Sequence, residues 1–287
     1  NTYRSDSGSS GNVTAENLTN SGTLTADGNT IYIAGSLTSS GTFNANTSTV
    51  NFNGTGSQTI PALDYYNLVG SGSGSVSRTG SAGEIHDSAN TGSQSITVPT
   101  DATIAIVAVA GWFNQNTYYS GGSVSLGGNS LSTGRADDAD AAYDFTAIFY
   151  LINPPTGSQT LSWDWLGTSA PNDGTHIHYA FYKGVKTSDP IRSSGGQGTT
   201  TTSANTGSLT TQSGDMAVAT AYAWNDTTLP SVDWTNATEL IDNTFNGDTG
   251  SFAEGSPTGS VTITATHNGG TNADPWTTVS AIVLQPS

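Results

Sequence analysis

Two histidines separated by one residue, His176-Ile177-His178, are the groups in this chain best spaced for chemistry. Side chains alternate along a β-strand, so both imidazoles fall on one face. With a carboxylate such as Asp173 or Asp164 they would make a metal site. The plainer alternative, and the favoured one, is a polar outer face opposite the apolar series Ile177, Tyr179 and Phe181. Asp137-Asp138-Ala139-Asp140, followed by Asp144, gathers oxygen ligands of the kind calcium takes. The ordered spacing of a dedicated calcium loop is missing, so a solvated acidic loop is preferred there. Trp163 and Trp165 share a strand face and could stack on a sugar ring, with core or subunit packing as the alternative for them and for Trp112, Trp224, Trp234 and Trp276. Lys183 could form an amide crosslink in a chain without disulfides, but a surface lysine is the simpler reading.

Asn-x-Ser/Thr sequons stand at Asn12, Asn17, Asn46, Asn53, Asn225 and Asn236. A chain so rich in Asn, Ser and Thr produces such a number by chance, so they mark candidate glycosylation sites only because the protein reads as exported. Other catalytic patterns are missing. There is no Gly-x-Ser-x-Gly elbow, no His-Glu-x-x-His and no phosphate-binding loop ending in Gly-Lys. Glu16, Glu84, Glu239 and Glu254 are scattered, which gives no signal of a paired-Glu glycosidase. The expectation is therefore a protein that is not an enzyme, with no cofactor, no catalytic centre and no tightly held metal.

Composition narrows the partners. Only 10% of the 287 residues are charged, and 6 Lys plus Arg face 22 Asp plus Glu, for a formal net charge of −16. That balance repels nucleic acid and anionic membranes. No stretch approaches a membrane span. Cysteine is absent, which for an exported protein of this size suggests a prokaryotic or viral source. The first residues are polar, so a signal peptide is expected to have been removed or to lie outside this sequence.

The elements that would carry these residues are strands. Leu18 to Gly22 and Leu37 to Gly41 match in register, as do Ile31 with Val50 and Ile33 with Phe52, at an offset of 19 residues. This is close to the shortest solenoid repeats of about 20 residues. A plain β-meander with coincidental similarity is the alternative. Two copies leave an apolar face without a partner, so self-association is expected through the strands carrying Leu18, Leu24, Ile31 and Ile33. The chain divides into an N-terminal arm and repeat domain (1–69), a Gly/Ser-rich linker (70–83) and a larger domain (84–287). In the last, short strands separated by Gly, Pro and Asn predict one antiparallel β-sandwich, jelly-roll-like, with a core of Ile104, Ile106, Ala108, Ile148, Tyr150, Val218 and Ile282. A hairpin is expected around Gly127-Gly128-Asn129. The fold class is thus all-β, a short β-solenoid-like repeat followed by a sandwich.

The run Phe149 to Thr160 (Phe-Tyr-Leu-Ile-Asn-Pro-Pro-Thr-Gly-Ser-Gln-Thr) is followed in order by Tyr179 to Val185, Asp189-Pro190 and Ser213 to Val218. Together these stretches resemble a β-sandwich module of secreted prokaryotic surface proteins and phage tail or fibre proteins. The N-terminal third is similar to Gly/Thr/Asn-rich stretches of surface fibres and adhesins. The resemblance implies an exported structural or adhesive part and carries no catalytic residue. The leading expectation is a subunit of an extracellular filament that binds itself as a homopolymer at the cell surface. The alternative is a virion tail-fibre component or a carbohydrate-binding adhesin that meets surface glycans.

Overall fold

The computed structural model describes residues 3–4, 12–26, 28–53, 58, 60–70, 74–112, 122–138, 144–165, 175–224, 231–245, 248–268 and 276–287. These form 28 strands and no helix, so the protein is all-β. The chain separates into two compact units, Asn1–Ser73 and Gly74–Ser287.

The first unit contains β1 (Tyr3–Arg4), β2 (Val13–Ala15), β3 (Leu18–Asn20), β4 (Thr23–Thr25), β5 (Thr30–Ile33), β6 (Leu37–Ser39), β7 (Thr42–Asn44), β8 (Thr49–Phe52) and β9 (Asn67–Gly70). Among its described residues every pairing is parallel, in three ladders ordered β2-β5-β8-β9, β3-β6 and β1-β4-β7. The 19-residue offset of the sequence becomes the ladder register, with Leu18 opposite Leu37, Leu24 opposite Phe43 and Ile31 opposite Val50. Leu24, Ile31, Ile33, Val50 and Phe52 fill the interior. Between strands, Asn side chains satisfy the backbone of the next coil. Asn12 Oδ1 accepts from Thr30 N–H, Asn17 Oδ1 accepts from Ser36 N–H, and Asn20 Nδ2 donates to Thr42 O. This accounts for the abundance of Asn, since each turn otherwise leaves backbone groups unpaired.

The second unit consists of two consecutive sets of strands with the same plan. The first set is β10 (Ser77–Asp87), β11 (Thr91–Val98), β12 (Ile104–Trp112), β13 (Ser123–Leu126), β14 (Asn129–Ser130), β15 (Ser132–Asp138), β16 (Asp144–Ile152), β17 (Gly157–Asp164) and β18 (Thr175–Lys183). The second is β19 (Ile191–Thr199), β20 (Ser203–Asn205), β21 (Leu209–Thr211), β22 (Met216–Trp224), β23 (Ser231–Thr235), β24 (Thr238–Phe245), β25 (Asp248–Gly255), β26 (Gly259–Val261), β27 (Thr264–Asn268) and β28 (Trp276–Leu284). Each set has a five-stranded antiparallel sheet, in the order β10-β18-β12-β16-β15 in one and β19-β28-β22-β25-β24 in the other. Each also has smaller pairings, β11-β17-β13-β14 in the first and β20-β27-β23 with β21-β26 in the second.

Side-chain alternation then builds layers. Ala105, Val107 and Val109 of β12 meet Val124, Leu126, Leu161 and Trp163 of the first small sheet. Ile104, Ile106 and Ala108 on its other face meet Val218, Phe252 and Ile282 of the second large sheet. A strand buried on both faces needs a continuous apolar run, and Thr103 to Trp112 is one. Ala217, Ala219, Ala221 and Ala223 of β22 cover the second set of small sheets.

Two expectations change here. The core of Ile104, Ile106, Ala108, Ile148, Tyr150, Val218 and Ile282 is one cluster, but it lies between the two five-stranded sheets and not inside one two-sheet body. Residues 77–83, expected as linker, are the first part of β10, and Val76 is buried ahead of them. The Gly and Ser there serve a bulge. The register shifts between Thr79 and Gly83, and Gly80 has φ 71°, a conformation that favours glycine. The unit therefore starts at Gly74 and not at Glu84. The hairpin around Gly127-Gly128 forms as expected, with φ of 58° and 79° at the two glycines, matching a type I′ turn.

Candidate functional site

One end of the seam between the two large sheets gathers buried polar side chains, His176, Asp144 and Asp248 among them. β10 and β18 run antiparallel, with Glu84 opposite His178 and His86 opposite His176. Directly opposed residues share a face, so Glu84, His86, His176 and His178 form a two-by-two patch. Three of the chain's 4 histidines meet there. His176 Nδ1 lies 2.9 Å from Glu84 Oε1, and its Nε2 lies 3.4 Å from Asp248 Oδ1 across the seam. His178 Nε2 is 3.5 Å from the same Glu84 oxygen. The His86 ring meets His176 edge-on, with centroids 4.9 Å apart. Asn243 Nδ2 donates to Glu84 Oε2 at 2.6 Å, and the Tyr222 hydroxyl donates to Asp248 Oδ2 at 3.1 Å. Gly250 packs against His176, and a Cβ there would collide with that side chain. The ligand atoms of Glu84, His176 and His178 all lie within 4.8 Å of one another, so these three could hold a metal ion.

Burial sets the electrostatics. The His176 and His178 side chains are 0% exposed and that of Glu84 is 13% exposed. Burial alone would raise the Glu84 pKa, but hydrogen bonds from His176 and Asn243, with the nearby His178 ring, outweigh it and hold the carboxyl well below its usual range. For His176, burial favours the neutral ring, yet bonds to Asp248 and Glu84 raise its pKa overall. For His178 burial wins and the pKa falls, only partly offset by Glu84. His86 is also lowered, by burial and then by His176. Asp144 is pushed up to about 8 by burial and by the neighbouring charge of Asp248. His178 Nδ1 and Asp144 Oδ2 have no hydrogen-bond partner, an arrangement that costs about 1–3 kcal/mol per group.

The favoured reading of His176 and His178 as a polar outer face is thus overturned, because β18 lies in an interior sheet and both of its faces are covered. Glu84 takes the place expected for Asp173 or Asp164. Asp164 lies on β17 in the other sheet, and Asp173 falls outside the described residues. By sequence alone Glu84 is one of four scattered Glu residues, and His86 and Asp248 belong to no candidate site. Glu84-Ile85-His86 has the same one-residue spacing as His176-Ile177-His178, and that spacing was the available signal.

The described acids of the run lie on strands and not in a loop, Asp137 and Asp138 on β15 and Asp144 on β16. Asp137 pairs with Arg135 and accepts from the Ser280 hydroxyl at 2.7 Å, while Asp144 is buried. Asp140 lies outside the described residues. Trp163 and Trp165 are each 5% exposed within the first core layer, and Trp163 Nε1 donates to Asp87 at 3.0 Å, so neither offers a face to a sugar. Lys183 forms a surface ion pair with Asp101 at 3.0 Å, with both side chains 49% exposed. Asn12 and Asn17 use their side-chain oxygens between coils, and Asn236 Nδ2 donates to Thr262 O. Asn46 sits at φ 47°, Asn53 is exposed, and Asn225 is outside the described residues.

Of the four self-association residues, Leu18, Leu24 and Ile31 line a cavity of about 400 Å³ in the first coil. Ile33 is fully buried in the interior. The outer edges of β2 and β3 pair with no strand among the described residues. At the other end of the ladder, Ile60, Tyr66 and Leu68 are the exposed large apolar side chains of the described chain.

No protein-family model matches the chain, nor does any curated protein or solved structure. Among the described residues no helix is long and apolar enough to cross a membrane.

Proposed function

We propose that the chain is a non-enzymatic structural subunit of an extracellular filament or surface polymer, joined head to tail through its N-terminal unit. On this reading the first unit is a short β-solenoid, and the second is a pair of jelly-roll-like sandwiches that it displays. The carrying observation is the outer edge of β2 and β3, which pairs with no strand among the described residues, around the cavity lined by Leu18, Leu24 and Ile31. Unprotected strand edges recruit further strands unless charge, Pro or a cap blocks them. The opposite end of the ladder presents Ile60, Tyr66 and Leu68, so a second copy has apolar side chains to place over the first copy's cavity. A contact between two different ends is heterologous and extends without closing. Charge permits it. Residues 1–73 hold one Arg (Arg4) against four acids (Asp6, Glu16, Asp27 and Asp64), a share of −3 in the total of −16. The resemblance to secreted surface modules points the same way.

Electron microscopy and sedimentation of the concentrated full chain test this. Filaments are expected, with Leu18→Lys at one end and Leu68→Lys at the other each raising the critical concentration at least about tenfold, equivalent to ~1.4 kcal/mol. A chain that stays monomeric at high concentration, or fibres indifferent to both substitutions, overturns the reading. A monomer that binds glycan would instead favour the adhesin alternative.

A further inference from the structure

We infer that Glu84, His176 and His178 bind a divalent transition-metal ion of the zinc class, held between the two large sheets. Zinc takes imidazole nitrogen and carboxylate oxygen at about 2.0–2.1 Å in a tetrahedron, which separates neighbouring ligand atoms by about 3.3 Å. The distances from Glu84 Oε1 are 2.9 Å to His176 Nδ1 and 3.5 Å to His178 Nε2, on either side of that spacing. Small side-chain shifts bring all three onto one ion.

The surroundings suit a cation. With the ion on Nδ1 of His176, the Nε2–H points to Asp248 at 3.4 Å, and Asp248 is itself held by the Tyr222 hydroxyl. Ligating imidazoles are commonly oriented by such a carboxylate. Asn243 fixes the second oxygen of Glu84 in the same way. The charges of Glu84 and Asp248 balance a dication bound by neutral imidazoles. The ion also gives His178 Nε2 a partner in a fully buried site.

The second strand set supplies an internal comparison. Matching registers place Gly196 where the first set has Glu84, Gly198 for His86, Thr278 for His176 and Ser280 for His178. The strand plan therefore does not demand this cluster. It is carried by one set alone, in a chain with only 4 histidines. A structural role in packing would be met by small residues, as it is in the second set.

The test uses the full chain after dialysis against a chelator, titrated calorimetrically with Zn²⁺ and followed spectroscopically with Co²⁺. One ion per chain is expected, with a rise in Tm and the intense visible bands of four-coordinate cobalt. Glu84→Gln and His178→Gln should each weaken Zn²⁺ binding by more than about 100-fold, and Asp248→Asn by about 10- to 100-fold. His267→Gln, at the remaining histidine, should leave binding unchanged. Should a ligand variant fail to fold, X-ray absorption of the zinc-loaded wild type decides, with two imidazoles and a carboxylate expected. Absence of stoichiometric binding, affinity unaltered in E84Q and H178Q, or a six-coordinate oxygen environment would overturn the assignment.

Discussion

Asp144 and Asp248 stand at equivalent positions of the two strand sets. Each opens its strand directly opposite a tryptophan, Trp112 in one set and Trp224 in the other. Both are buried, and the pair faces the same seam. Two carboxylates so placed resist joint ionisation, and Asp144 holds its proton up to about pH 8. Its unfolded counterpart loses the proton near 3.8. A raised acid binds its proton more tightly when folded, so the stability it brings is full below about pH 4 and is lost as pH rises toward 8. The slope is about 1.4 kcal/mol per pH unit. Asp144→Asn keeps the shape and the neutral charge, so the variant should gain on the wild type by a few kcal/mol between about pH 4.5 and pH 8.5. Urea midpoints at the two pH values measure this, and an unchanging difference would mean that Asp144 is ionised in the native protein. At this scale the sequence was only half legible. Spacing put His176 and His178 on one face, but nothing local says which face of β18 is covered, nor that β10 brings Glu84 opposite.

Among the elements, the coils of the first unit were the most legible, because parallel in-register stacking translates a sequence offset directly into a contact. Leu18 over Leu37 and Ile31 over Val50 could be paired by eye, and the ladders pair them. Gly22 and Gly41, from the repeated Ser-Gly-Thr, show why the repeat is so strict. A Cβ on Gly41 would run into the backbone of Gly22 in the coil before it. Backbone cannot yield as a flexible side chain does, so Gly41→Ala should destabilise the first unit by about 1–3 kcal/mol. Hydrogen exchange at Thr42 and Leu24 would register the loss, and protection equal to wild type would mean that the coils are farther apart. Antiparallel strands were harder to read. β10 was hidden because its bulge is built of Gly and Ser, residues that also make linkers. The continuous apolar runs of β12 and β16 mark buried strands, but burial alone does not count the layers.

For the second unit as a whole, the shared seam decides what can fold. Ile104, Ile106 and Ile148 on one side and Val218, Phe252 and Ile282 on the other are almost fully buried only because the two large sheets cover each other. Polar ties cross the same seam. The Tyr182 hydroxyl donates to Glu254 at 2.9 Å, Arg78 Nε donates to the same carboxylate at 3.1 Å, and Thr146 meets Ser280 at 2.8 Å. A fragment of residues 74–186 would bare one wall of this seam, an apolar sheet face larger than a soluble monomer tolerates. It should aggregate or melt without cooperativity. Residues 74–287 should instead unfold in one calorimetric transition, with equal van't Hoff and calorimetric enthalpies. The start of the chain matters as well. A fragment of residues 84–287 lacks Val76, which is buried in the seam, and Arg78, which pairs with Glu254. Losing a buried aliphatic side chain and one partner of a half-buried ion pair together should cost about 2–4 kcal/mol relative to 74–287. Two separate transitions in 74–287, or a soluble and cooperative 74–186, would show that each strand set folds alone and that the seam is only a contact surface.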